Sequence, residues 1–321
     1  MVAYRVLASP CRVVDPLQAE LFIVPLLLGT AHTANAVQGM CQHAQVSNLT
    51  ACGWEATLAQ CPLSHFSNHT AARHVFILAR EHLAHRPQGP SLCQGWWGDP
   101  IGALNDVIRI ATSEAHPDFS RHYWNGSFPR LFAVPFAASV HLHPDEPLLF
   151  PDEPRSALMT FSGSTLKDPA VRKRILHQCT AYNDSRVCLL SRPCTKDACT
   201  QRDENKKAAT FCLEPAGDTP YRKSYADSVA AGCIPVTFSP ASADAFGWLW
   251  WPEPGRLAID REAFLSGNID LREHLNAVPH EQLRALKRAV STSARRFQVS
   301  LAHDDDDLVG AMLRHARRLA Y

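Results

Sequence analysis

Short apolar runs separated by polar, turn-rich stretches recur along the chain. In the first half they are Leu21–Val24, His74–Leu78, a run near Val107–Ala111 and Leu131–Pro135. In the second half they are Leu158–Phe161, Val187–Leu190, Phe211–Leu213, Cys233–Phe238 and Leu257–Ile259. Runs this short, rich in β-branched and aromatic residues, predict buried strands. Helical periodicity fills several of the intervals: Ala170–Gln178, the stretch from Arg222 to Gly232, Glu281–Phe297 and Leu308–Leu319. Asp15-Pro16, Asp168-Pro169 and Asp260 read as helix starts, because Asp caps and Pro suits the first helical position. Residues 192–207 are polar with no apolar period and predict a loop. Alternating strand and helix predicts an α/β fold with parallel sheets. The pattern restarts after a segment with four prolines, PDEPLLFPDEPR at 144–155. The expected organisation is two Rossmann-like domains facing a cleft, residues 1–145 and 157–300, with a linker at 146–156 and a C-terminal helix at 301–321.

The stretch from Phe211 to Phe238, FCLEPAGDTPYRKSYADSVAAGCIPVTF, concentrates the candidate chemistry. A strand ends at Glu214-Pro215, a Gly217–Pro220 loop follows, and Arg222-Lys223 opens a helix that leads into a second strand. In a βαβ unit the strands are parallel, and ligands bind past their carboxyl ends near the helix N-terminus. Free N–H groups and two cations there favour an anion. One reading is a nucleotide-diphosphate pocket, with Gly217, Asp218, Arg222, Lys223 and Ser224 around the phosphates and Asp227 on sugar hydroxyls. The other is ordinary helix surface, with Lys223 and Asp227 four apart as an ion pair. The loop lacks the GxGxxG and GxxxxGK[ST] patterns, which disfavours a Rossmann-type oxidoreductase. Ser162-Gly163-Ser164, a tight turn after a strand, is a second place where backbone can approach phosphate.

Charge and cysteine content narrow the class. The formal net charge is +1, which gives no basic excess for nucleic acid. Eleven cysteines accompany four sequons, at Asn48, Asn68, Asn125 and Asn183, a combination that favours an oxidising, secretory compartment. The apolar stretch Leu21–Leu28 is short and broken by Pro25, so no transmembrane helix is expected, nor a signal peptide. Any targeting segment is expected outside this sequence. The spacings of Cys41, Cys52 and Cys61 match no zinc pattern. The acidic run Asp304–Asp307 sits where a helix begins, and capping and solvation account for it without a metal. Trp96, Trp97, Trp248, Trp250 and Trp251 either stack on sugar rings or pack in the core, the commoner fate.

Taken in order, these pieces resemble the exostosin-type glycosyltransferases (glycosyltransferase family 47), most nearly the plant and algal branch with the xyloglucan galactosyltransferases. The 211–238 stretch resembles the family pattern FCLxPxGDsxtRRSxFDSxxAGCIPVxF. DPLQAELFIVP resembles DPxxAdlFfVP, and RHVFILAR resembles RDHFxVxGR. LMTFSGSTLKDPAVRKRILHQC resembles a strand–FxG–helix segment ending in R-x-x-I/L-x-x-Q-C, CLLSRPCTKDAC the CxLLxC segment that follows, and FGWLWWP a later Trp-containing segment. The resemblance runs from about residue 9 to about residue 300.

The resemblance implies a GT-B fold with the nucleotide sugar bound mainly by the second domain. It implies transfer from a UDP-sugar to a glycan acceptor with inversion, by a Golgi membrane enzyme whose lumenal domain follows an anchor. No essential metal or cofactor is expected. Ser162, Gly163, Ser164, Gly217, Asp218, Arg222, Lys223 and Ser224 are then donor-binding candidates, and Asp227 matches the acidic position that would hold ribose. His74 and Glu81 are the candidate catalytic bases, with a structural histidine as the plain alternative for His74. Arg80, matching the Arg of xGR, is placed at the diphosphate or the acceptor. One departure is Arg73, where the family has Asp. It motivates a second expectation, a catalytically silent relative that binds a glycan or a partner transferase.

Overall fold

A computed structural model of the chain describes residues 6, 9–24, 65–77, 106–111, 130–139, 154–191, 198–217, 220, 222–243, 246–250, 253–300 and 304–321. It divides into two compact units, Met1–Val134 with Met312–Tyr321, and Pro135–Ala311. The boundary therefore falls after Val134, upstream of the expected linker at 146–156, most of which lies outside the described residues. The expected C-terminal helix is present at Leu308–Ala320, and the last ten residues of the chain belong to the first unit.

In the first unit, strands β1 (Phe22–Val24), β2 (His74–Ile77), β3 (Ile108–Ala111) and β4 (Leu131–Ala133) form a sheet in that order, each pair parallel. Val75, Phe76, Ile108, Ile110 and Phe132 are buried, as apolar runs of this kind require. Asp15 Oδ1 accepts from Leu17 N at 2.9 Å, so the Asp-Pro start is realised as a short 3-10 turn, Pro16–Gln18.

The second unit is built on β5 (Ala157–Ser162), β6 (Cys188–Ser191), β7 (Ala209–Glu214), β8 (Ile234–Thr237) and β9 (Leu257–Ala258), in the spatial order β6-β5-β7-β8-β9. All pairs are parallel. Helices α1 (Pro169–Tyr182), α2 (Ala198–Ala208), α3 (Lys223–Ala230) and α4 (Pro240–Ala243) follow successive strands. After β9 come α5 (Arg261–Ser266), α6 (Leu271–Asn276), α7 (His280–Ser293) with a 3-10 extension Ala294–Phe297, and α8 (Leu308–Ala320). Two α/β units, each on a parallel sheet, are the architecture of the GT-B type.

Three local expectations are corrected. The stretch 192–207 is not all loop, because α2 occupies its second half. Its sequence, ACTQRDENKKA, has no apolar stripe, and the side chains it buries are Asn205 and Lys206. Asp168 does precede α1, but its carboxylate makes no cap bond and instead receives Arg261 as a fork, Nη1 at 2.8 Å and Nη2 at 2.7 Å. Asp260 and Asp307 do cap, accepting from Ala263 N at 2.7 Å and Gly310 N at 2.9 Å. Of the acidic run Asp305 and Asp306 are exposed, as solvation requires, while Asp304 and Asp307 are buried, each carboxylate also accepting from Ser300.

Trp250 packs with Tyr225, Phe246 and Phe297 in an aromatic cluster under α3, the core fate weighed for it. Trp248 is half-buried, and Trp96, Trp97 and Trp251 lie outside the described residues. Among the described sequons, Asn68 and Asn183 are exposed. Cys179 is bonded to Cys188 and Cys212 to Cys233, Cys199 is also disulfide-bonded, and Cys11 is free and exposed.

The Cys212–Cys233 bond joins β7 to the residue before β8 and closes a span of 21 residues. Replacing both cysteines by alanine is expected to destabilise the second unit by about 3 kcal/mol, the loop-closure contribution of a span of this size. Denaturant unfolding under oxidising conditions measures it, and an unshifted midpoint would count against the bond's role.

Candidate functional site

The order β6-β5-β7-β8-β9 starts from β5 and runs outward in both directions. The order reverses between β5 and β7, whose following connections leave toward opposite sides of the sheet. A crevice opens outside the carboxyl ends of the strands at such a switch point. The chain has placed Ser162-Gly163-Ser164 after β5 and Glu214-Pro215-Ala216-Gly217 after β7, so both predicted turns flank this crevice.

A guanidinium on each side fixes the two turns. Arg172, buried on α1, donates from Nη1 to the Ser164 carbonyl at 2.8 Å and from Nη2 to the Ala216 carbonyl at 2.7 Å. Arg222 stands at the N-cap of α3 with extended backbone. A Cβ on Gly217 would fall 2.7 Å from Arg222 Cδ and 2.8 Å from Cγ, so only glycine lets the aliphatic stem of Arg222 lie against this loop. A Cβ on Gly163 would sit 3.4 Å from Arg222 Nη1. Gly163, Gly217 and Arg222, named separately from the sequence, therefore meet at one place.

Beneath them lies a buried ionic cluster that sequence reasoning missed. Glu214, the last residue of β7, accepts at Oε2 from Arg222 Nη2 at 3.1 Å. At Oε1 it accepts from Lys206 Nζ at 3.0 Å, Ser224 Oγ at 2.8 Å and Ser228 Oγ at 2.7 Å. Lys206 also donates to the Ser224 carbonyl at 2.7 Å and to the Ser224 and Ser228 hydroxyls. Burial pushes the Glu214 carboxyl up, but Lys206 and Arg222 outweigh it and hold it below the usual carboxylate range. Burial likewise lowers the Lys206 ammonium, against the pull of Glu214 and Asp227. Of the predicted donor residues Ser224 is thus turned inward, onto Glu214.

Asp227 is corrected more sharply. It is fully buried, and Oδ1 accepts from Lys223 Nζ at 2.8 Å and from Ser139 N at 2.7 Å. Arg202 Nη2 lies 3.5 Å from its Oδ2. The carboxylate is thus occupied within the unit and presents no oxygen to a ribose. The i,i+4 ion pair is the observed arrangement, and Lys223 spends its ammonium on Asp227 and Ser139. Asp218 lies outside the described residues.

His74 is corrected as well. It opens β2 at the amino end of the sheet, opposite to the end where ligands gather. The ring is buried, stacks on Phe22 at 4.7 Å, meets the Phe66 ring edgewise at 4.9 Å, and donates from Nδ1 to the Thr70 carbonyl at 2.9 Å. It is a structural histidine. Arg73 beside it donates to the Ala19 carbonyl at 2.9 Å and covers the Phe22 ring at 5.3 Å. The charge that departs from the family pattern thus stands at the same amino end of the sheet. Glu81 and Arg80 lie outside the described residues.

The chain matches the Exostosin GT47 domain over residues 2–247. It is 29% identical over 180 residues to the "Probable xyloglucan galactosyltransferase GT19" of Arabidopsis thaliana, covering 49% of this chain and 40% of that one. It is 26% identical over 254 residues to the xyloglucan-specific galacturonosyltransferase 1 of Arabidopsis thaliana, covering 74% of this chain and 35% of that one. The chain thus spans well under half the length of these relatives. Among solved structures, that of the GtfA/B complex aligns over 79% of this chain and 54% of that chain at 9% identity with a TM-score of 0.42, too loose a likeness to add to what the two sheets show.

Two outcomes are expected. Lys206→Met leaves Glu214 buried without its ammonium partner and should cost about 3–5 kcal/mol in denaturant unfolding, whereas Lys206→Met with Glu214→Leu removes both charges and should cost far less. Burial, joined by the field of Arg73, holds His74 below the ordinary histidine value of 6.5. The folded state then binds fewer protons than the unfolded one once pH drops under that value. His74's contribution is complete above about pH 6.5 and is lost as pH falls toward its folded value. Melting curves between about pH 7.5 and pH 5.5 should show this acid-side loss, and His74→Gln should reduce it.

Proposed function

The chain belongs to the Exostosin GT47 family, and on that premise we propose that it is an inverting glycosyltransferase that moves a sugar from a UDP-sugar to a cell-wall polysaccharide or glycoprotein glycan. The observation that carries the proposal is the convergence of Arg222, Gly163 and Gly217 at the switch point of the second sheet. In the proposed reaction the acceptor oxygen bonds to the anomeric carbon as the bond to the β-phosphate oxygen breaks. UDP leaves with the bonding pair, and a base takes the acceptor proton. The arrangement supports Arg222 as the group that meets charge developing on the leaving diphosphate, together with N–H groups at the Gly217 loop and the Ser162–Ser164 turn. No metal is assigned to that step, and His74 is withdrawn as the base.

The relatives include both a galactosyltransferase and a galacturonosyltransferase by name, so the transferred sugar is left at the level of a UDP-activated sugar. The disulfides within the second unit support a secretory compartment, and a lumenal Golgi location is part of the proposal. A glycan acceptor is the proposed second substrate, and a partner transferase is compatible with the same setting.

Calorimetry with UDP tests the donor site. Arg222→Ala should weaken UDP binding by at least about tenfold, the loss expected on removing one charge-assisted contact to phosphate. Unchanged affinity would take Arg222 out of the site. A UDP-sugar that raises the melting temperature above the effect of UDP alone would identify the donor.

A further inference from the structure

Arg222 is the least self-evident part of this site. It is a long, flexible side chain at the mouth of a crevice, and a cation stabilises a developing charge only if it is already in place. Its neighbours show how it is held. The stem lies along Gly217, and Nη2 is bonded to Glu214 Oε2. Nη1 is on the side of Gly163, and Nε makes no hydrogen bond among the described residues. One edge of the guanidinium is therefore tethered while further N–H donors remain for a ligand.

Glu214 is in turn immobilised from behind. Its other oxygen collects Lys206, Ser224 and Ser228, so the carboxylate plane is set by groups on α2 and α3 before Arg222 is considered. A carboxylate beside an anion site would repel the ligand if it stood alone. Here Lys206 neutralises it locally, and the fully buried pair presents the positive charge of Arg222 outward.

From this geometry we propose that Glu214 is a positioning residue of the donor site: backed by Lys206, it aims the Arg222 guanidinium between Gly163 and Gly217 at the diphosphate. The inference rests on the donor-site reading above. It adds a role for two residues that face no ligand themselves and act only through Arg222.

UDP calorimetry on the full chain tests it, with variants that spare the fold. Lys206→Met combined with Glu214→Leu removes both buried charges together, which avoids leaving either one alone. UDP binding should weaken about tenfold, the equivalent of one charged hydrogen bond. Adding Arg222→Ala to that double variant should cost nothing further beyond the loss of Arg222→Ala alone, since both changes act through one guanidinium. Lys206→Met with Glu214→Gln also removes both charges but keeps an acceptor for Arg222, and it covers the case in which the first pair fails to fold: it should recover most of the affinity, and a loss as large as that of Arg222→Ala would overturn the proposal. A purely structural role predicts the opposite, losses in the combined variants that add to that of Arg222→Ala. Additive losses, or wild-type affinity in the double variant, would overturn the proposal. Failure of the wild-type protein to bind UDP is a separate outcome, and it would remove the donor reading along with the inference built on it.

Discussion

A carboxylate buried at the end of a central strand sets the terms for the second unit. Taking Glu214 and Lys206 out of water costs several kcal/mol per ion, and their attraction offsets this only when every remaining lone pair and proton is satisfied. Here that condition is met by Ser224 and Ser228 on α3, by the Ser224 carbonyl, and by Arg222. The requirement fixes three elements at once. Helix α2 must bring Lys206 under β7, helix α3 must turn its serine face inward, and Arg222 must lie over the carboxylate. The pair is weak as a source of net stability, but it leaves few alternative placements for these elements.

Arginines do the corresponding work on backbone carbonyls. Arg155 donates to the carbonyls of Lys206, Ala209, Ala231 and Gly232, which gather at the end of α2, the start of β7 and the end of α3. These are groups that helix ends leave without partners, and a cation there also opposes the helix dipole. Arg172 does the same for the turns after β5 and β7. The Ser164 and Ala216 carbonyls of the two turns that flank the crevice are thus held by one guanidinium, which ties the turns to each other through α1.

The strands were legible because a buried parallel strand must be a short apolar run, and residues such as Val75-Phe76 and Phe211-Cys212-Leu213 have no other reading. The turns at Gly163 and Gly217 were legible for a related reason: small residues directly after a strand mark close backbone approach. What escaped was everything decided by polar burial. Helix α2 has no apolar stripe, so periodicity could not find it, and Lys206 looked like surface. Glu214 lies in the 211–238 segment itself, but nothing local to the sequence distinguishes a solvated Glu from one paired with a lysine eight residues upstream. Asp227 shows the converse. Its spacing from Lys223 was compatible both with a ligand contact and with an ion pair, and only the backbone N–H of Ser139, 88 positions away in sequence, decided for the buried arrangement. His74 was misplaced by its neighbours in sequence, because a motif does not say which end of a parallel strand it occupies.

The charges around the crevice bear on what it can hold. Among the described residues Arg222 and Lys206 contribute two positive charges and Glu214 one negative, while Lys223 and Asp227 cancel locally. The positive charge of this group is carried by Arg222, a held side chain in a partly buried setting, where fields act with less screening than at an open surface. A nucleoside diphosphate sugar brings two negative charges on its bridging phosphates, and the proposed leaving group gains one more as the bond to the sugar breaks. On the proposed donor reading, the Arg222 N–H donors not bonded to Glu214 are the groups that would meet this added charge, and only interactions stronger in the transition state than in the ground state speed the step. Glu214 matters there through its sign: without it Lys206 would stay buried behind Arg222 without its carboxylate partner.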